Sequence, residues 1–225
     1  PSGAAIKSIA NIVAKDKQDK SLAADFVQAV LTQISLEDFE LQNHSAWANI
    51  LDSLYEASSV RIAGVASVGV NQEAVSCTDA GSNRSTLEII SDDFPFLVDS
   101  FKMVMDKLGI TCYAIVHPVL TVSRDAEGKL TGIPGEISES VVWMEIERQS
   151  NEGANALIAA IKETIEDVRV SVEDWQAMRD KMLQVADTVG NLNLQASEIE
   201  PSEAKLFLQW AADNHFTFLG FREYR

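Results

Sequence analysis

The sequence predicts an α+β fold. N-terminal helices are followed by an antiparallel sheet in the ferredoxin-like order βαββαβ, with its helices on one face, and then by further helices. Three observations carry this reading. Apolar residues in the first third recur at helical spacing. Residues 85–171 alternate strand-like and helix-like segments in the order strand, helix, strand, strand, helix, strand. The last third returns to helical spacing.

The pattern divides the chain into a helical segment over 1–57, a linker over 58–84, a sheet domain over 85–171 and a helical extension over 172–225. In the first segment Ile6, Ile9 and Val13 form one stripe. Leu22, Phe26, Val27, Val30 and Ile34 form a second, with Ser21 as its expected cap. Trp47, Ile50, Leu51, Leu54 and Tyr55 form a third, capped by Asn43 or Ser45. Residues 58–84 are rich in Ser, Gly, Ala and Asn, which suits a loose connection.

The sheet domain opens with a short strand over 86–90. Asp92-Asp93-Phe94-Pro95 is a turn into a helix, with Asp92 or Asp93 as the expected cap and Pro95 in the first turn, where its missing N–H is tolerated. Phe94, Leu97, Val98, Phe101, Val104, Met105 and Leu108 give that helix its apolar face, and Gly109 ends it. A long strand is expected over 110–123, an exposed hairpin loop over 124–135 and a return strand over 141–147. A helix over 153–166 carries Leu157, Ile158, Ile161 and Ile165, and a last short strand is expected over 167–171. Two helices then follow, over 172–189 and 202–214, and a strand-like aromatic run over 216–225. Trp143, in mid-strand, and Trp175, on a helical stripe, are both expected to be buried.

At 225 residues the chain is long enough to bury roughly 70% of its unfolded surface without staples. No apolar run approaches the ~20 residues of a membrane-spanning helix. The net charge of -16, from 34 acidic against 18 basic residues, argues against nucleic acid and anionic membrane as partners. Cys77 and Cys112 stand far apart, so neither a zinc site nor a redox pair is indicated, and a reducing cytoplasm suits the composition. The absence of an initiating Met and the aromatic run at the end point to a piece of a longer protein.

Motifs for chemistry are absent. There is no GxGxxG, GxxxxGK[ST], HExxH or GxSxG. His44, His117 and His215 have no nucleophile or acid at a recognisable spacing, so no catalytic or metal-ligating residue is assigned. His117 reads instead as a hydrogen-bonded sheet histidine. The one candidate site is the turn Asp92, Asp93, Phe94, Pro95, Phe96 and Leu97, where the free N–H groups of a helix start converge.

That turn, Asp-x-x-Pro-x-Leu in this topology, resembles the ACT domain, a module that often binds amino acids. ACT domains commonly place Gly after the Pro; Phe96 stands there in this chain. A longer set of motifs resembles the N-terminal, non-catalytic region of the large bacterial NAD-specific glutamate dehydrogenases. It comprises Leu87-Glu88-Ile89-Ile90, Asp93 to Ser100, Ile115-Val116-His117-Pro118-Val119-Leu120, Glu139-Ser140, Glu145 to Gln149, Asp167-Val168-Arg169, Val172 to Trp175 and His215 to Tyr224. The resemblance implies a parent enzyme of amino-acid catabolism that oxidises L-glutamate to 2-oxoglutarate with NAD. It implies a regulatory or subunit-assembly role for this segment, with NAD held elsewhere in the parent. The implied partners are the remainder of the same chain, further copies in a homo-oligomer and, in the alternative reading, an amino-acid effector at residues 92–97.

Overall fold

The computed structural model describes residues 1–40, 42–75, 83–191, 201–218 and 220–222. Cys77 lies outside them. The chain forms two compact units, Pro1–Ile165 and Glu166–Arg225.

In the first unit, helices α1 (Gly3–Ala14), α2 (Lys20–Leu31), the short α3 (Leu36–Glu40) and α4 (His44–Ser58) occupy the predicted helical segment. The Ser2 side chain caps α1 and Asn43 caps α4. Asp19, rather than the expected Ser21, caps α2 by accepting from the Leu22 N–H at 2.9 Å. Asp19 wins because a carboxylate also favours the positive end of the helix dipole.

The sheet contains β1 (Ser67–Val75), β2 (Asn83–Asp92), β3 (Cys112–Val116), β4 (Val119–Arg124) and β5 (Leu130–Ile146), with helix α5 (Leu97–Leu108) after β2 and α6 (Asn151–Glu173) after β5. The strand pairings among the described residues are antiparallel, in the order β1-β2-β5-β3, with β4 also on β5. Gly109, at φ 68°, ends α5 as expected.

Four expectations change. Part of the presumed linker is β1, which pairs from Ser67 opposite Ile90 to Val75 opposite Asn83. The long strand over 110–123 is broken into β3 and β4 at His117-Pro118, because proline cannot donate to a ladder. The hairpin loop shrinks to the turn after Arg124, and β5 begins at Leu130. Residues 167–171 continue α6 instead of forming a strand, since Val168 extends the buried stripe of Leu157, Ile161 and Ile165. The edge beside β2, which a last strand would fill in the ferredoxin-like order, is filled by β1 from the N-terminal side.

Both faces of the sheet are covered, and residues 139–146 of β5 are buried without alternation. Ile90, Val141 and Trp143 face one way and join the core of α1, α2 and α4, built on Ile9, Phe26, Val30, Leu51 and Leu54. Leu87, Ile89, Val142, Met144 and Ile146 face the other way, and α5 and α6 supply buried stripes through Leu97, Phe101, Met105, Leu157 and Ile161.

Glu88 is a buried acid on the first face. Glu88 accepts from Ser53 Oγ of α4 at 2.9 Å and from Thr86 Oγ1 at 2.7 Å. Burial pushes its pKa up, and the two hydroxyl donors only partly oppose this. A raised acid pKa means the fold favours the neutral carboxyl. Stability is therefore lost as pH rises from the unfolded-state pKa through the folded one. Glu88→Gln is expected to remove that loss. Urea midpoints of the two proteins should diverge in favour of the variant between acid and neutral pH, by about 1 kcal/mol.

In the second unit, α7 (Trp175–Gly190) packs beside α8 (Pro201–Trp210), which runs into a π-helical turn at Ala211–His215. Arg179 Nε donates to the Ala212 carbonyl at 2.8 Å. Trp175 is 44% exposed, against expectation. It stands at the first position of α7, and the inward stripe runs through Met178, Met182 and Ala186 instead. Among the described residues of 216–222 no strand forms.

Candidate functional site

The turn over 92–97 joins β2 to α5. Phe96 adopts φ 72° and ψ 0°, the values of the third position of a type II turn, with Pro95 in the second. The left-handed region costs a side-chain-bearing residue roughly 1–2 kcal/mol, which is why glycine is favoured there. Phe96 nonetheless holds it with half its surface exposed, while Leu97 beside it is buried. The expected cap is not made: α5 has no side-chain cap, and Asp99 is the acidic residue of its first turn. Asp93 is exposed and its N–H donates to the Ser138 carbonyl at 3.3 Å.

Asp92 is committed elsewhere. It closes β2 opposite Glu139, and its Oδ1 accepts from Arg61 Nη2 at 2.7 Å. Arg61 also donates from Nε to Glu139 at 2.9 Å and from Nη1 to the Val65 carbonyl at 3.3 Å. Arg124 grips the same Glu139 with two parallel bonds, both 2.7 Å. Its Nη1 donates to the Gly128 carbonyl at 2.8 Å, the carbonyl that also accepts the Arg61 N–H at 2.9 Å. Gly128 is required there, since its φ is +81° and a Cβ would sit 2.5 Å from the Arg61 carbonyl oxygen. Burial alone would raise the Glu139 pKa, but the hydrogen bonds from Arg124 and Arg61 outweigh it and hold the carboxyl below the usual range. Two guanidinium groups and two carboxylates thus anchor the strand end that carries the turn. No spacing signal in the sequence links Arg61, Arg124 and Glu139, which come from the connection after α4, from β4 and from β5.

The break between β3 and β4 faces the same end of the sheet. His117 Nε2 lies 2.6 Å from Ser140 Oγ, so the histidine is hydrogen-bonded as expected, but from the break between two strands and not from within one. Partial burial lowers its pKa, and the charge of Asp93 pushes the other way. The neutral imidazole is therefore favoured. Around residues 92–97 the side chains thus offer Asp93 and Asp99 as negative groups, and the nearby guanidinium of Arg61 is already engaged by Asp92 and Glu139. An amino acid's carboxylate would meet repulsion on this surface and a phenyl ring at the position where glycine would leave the backbone open.

Of the other histidines, His44 opens α4 in the first unit, and His215 stacks on Trp210 within the second. Cys112 is half-buried, and burial raises its thiol pKa, which disfavours the thiolate. Among the described residues no group of three or more His, Cys, Asp and Glu is arranged to hold a metal ion, and no helix is long and apolar enough to cross a membrane.

Strand order, the β2–α5 turn with proline at its centre and helices over the sheet define an ACT-like α+β module. The family model described as "Glutamate dehydrogenase, ACT1 domain" matches residues 26–161, and the chain belongs to that family. The NAD-specific glutamate dehydrogenase of Pseudomonas aeruginosa is 35% identical over 151 residues, which cover 64% of this chain and 9% of that protein. The protein of the same name from Halomonas elongata is 32% identical over 152 residues, with the same coverage of 64% and 9%. That of Mycobacterium tuberculosis is 23% identical over 185 residues, covering 78% of this chain and 11% of that protein. The matched region is thus about a tenth of these relatives' length.

Proposed function

We propose that this chain is a non-catalytic region of an NAD-specific glutamate dehydrogenase, and that it serves regulation or subunit assembly while glutamate oxidation and NAD binding take place elsewhere in the parent. The family match and the names of its relatives support the parent's identity. The observation that carries the assembly role is Phe96, an exposed aromatic side chain held in a left-handed turn conformation at the place where a ligand would approach. In this reading the turn presents an apolar contact to the remainder of the chain or to a second subunit of a cytoplasmic homo-oligomer. The alternative is an amino-acid effector site at Asp92, Asp93, Phe94, Pro95, Phe96 and Leu97, supported by the uncapped start of α5.

Calorimetric titration with a panel of amino acids separates the two. The assembly reading expects no saturable heat, and Phe96→Gly is expected to leave this unchanged, with stability within about 1 kcal/mol because relief of the left-handed strain offsets the added chain entropy. Saturable binding that Phe96→Gly strengthens would establish the effector reading in its place. The non-catalytic assignment has its own test. Titration with NAD is expected to give no binding, and incubation with glutamate and NAD no reduction above a blank; either signal would refute it.

A further inference from the structure

On the face of the sheet that carries α2 and α4, a cleft of about 560 Å³ opens between β3 and the end of α2, α3 and the start of α4. Such a volume lies within the roughly 300–1,000 Å³ of small-molecule sites. Its deep wall is aromatic and aliphatic: Trp47, Trp143, Ile50 and Val116 are buried side chains that border the space. Its rim is polar, with Gln33, Asp38 and Gln42.

The walls are cross-linked. The Gln33 amide clamps the Val119 peptide from both sides, donating to its carbonyl at 2.8 Å and accepting its N–H at 3.1 Å. Trp47 Nε1 donates to the Phe39 carbonyl at 2.9 Å, and the two rings stack with centroids 5.7 Å apart. Ser35 Oγ donates to Asp38 Oδ2 at 2.7 Å, which orients the carboxylate. These bonds fix the cleft before anything enters it, which lowers the entropy cost of binding.

Charge selects the occupant. Among the described residues that line the cleft, Asp38 is the one carboxylate and there is no Lys or Arg; the histidine that lines it, His117, is hydrogen-bonded to Ser140. Arg84, which lies over the Tyr113 ring at 3.6 Å, has buried Glu145 as a partner at 3.8 Å. An acid group would therefore enter without a counter-charge, whereas an amine would find Asp38. We propose that this cleft binds a flat aromatic amine: a ring system that lies along the Trp47 and Trp143 wall and directs an amino or ammonium group to Asp38, with no acid group of its own.

Three indole compounds that differ in charge test this on the whole chain: tryptamine, L-tryptophan and indole-3-acetate, titrated by calorimetry and followed through the indole N–H signals of the 4 tryptophans. The expected result is saturable binding of tryptamine, with indole-3-acetate at least about ten-fold weaker, the equivalent of about 1.4 kcal/mol. The Trp47 and Trp143 signals should shift while those of Trp175 and Trp210 do not. Asp38→Asn, an exposed position, should bring tryptamine and indole-3-acetate to within about three-fold of each other. Absence of saturable tryptamine binding, equal affinity for all three compounds in the native chain, or shifts confined to Trp175 and Trp210 would overturn the proposal. The comparison on the native chain decides even where the variant is unstable.

Discussion

Replacing Glu139 by Ala is expected to cost about 3–5 kcal/mol, the usual penalty for removing one partner of a buried ion pair. Glu139 is 0% exposed, and the side chains of Arg61 and Arg124 that hold it are 1% and 3% exposed. Both guanidinium groups would remain in the interior with only Asp92 to balance them. A domain of this size has a total stability of roughly 5–15 kcal/mol, so the variant should sit near the edge of folding. A urea melt followed by circular dichroism measures it. A midpoint within experimental error of the native one would mean that the cluster is solvated. The same bonds give the pH dependence. The Glu139 pKa lies below its unfolded value, so its contribution is complete above the unfolded pKa and is lost as pH falls through the folded one. Stability should decline in acid for the native chain and decline less for the variant. Replacing Arg61, Arg124 and Glu139 together by apolar residues should cost far less than the single change, because no charge is then left behind.

Trp143→Ala is expected to cost a similar amount, about 3–5 kcal/mol, through a different cause. Trp143 is 3% exposed in the middle of β5, between Glu88 of β2 and Val116 of β3, and it packs into the core shared with α2 and α4. Truncation leaves a void that strands fixed by their ladders cannot close. Trp175→Ala serves as the internal control. At 44% exposure its loss should stay within about 0.5 kcal/mol, as for most surface changes. Equal losses at the two positions in a denaturation series would contradict the burial described.

The core helices and the central strand pair were legible because each is amphipathic or uniformly apolar over many residues. The stripes of α2 and α4, the segment 141–146 and the Gly109 stop are local signals, and they appear where the pattern places them. What was illegible depends on partners distant in sequence. Residues 67–75 carry Gly, Asn, Gln and Glu and read as a connection; they form a strand because the edge of β2 offers them a ladder. Residues 167–171 contain Val, Arg and Ser and fit a strand as well as a helix, and with that edge already taken the helix continues. At the candidate site the β-to-α turn was readable from Asp92 to Leu97, but the role of Asp92 was not. As a cap it would need to lie beside the first N–H groups of α5, whereas its nearest donor is Arg61, 31 positions away. The position of Trp175 failed for a related reason: a residue at the first position of a helix follows the period without facing the interior.

The centre of the sheet is also the last of its strands to be synthesised. β5 pairs with β2, β3 and β4, yet it ends at Ile146, after every other strand has left the ribosome. A nascent chain that stops short of residue 130 holds the hairpin of β1 and β2 and the separate pair β3 and β4 with nothing between them, each with an open edge. Synthesis at about 5–20 residues per second leaves those edges unpaired for seconds before the central strand emerges. The helices α1, α2 and α4 are complete by then and can shield the apolar face that β2 and β4 present to them. Through that interval the N-terminal helices are the part of the chain already in place to cover that face.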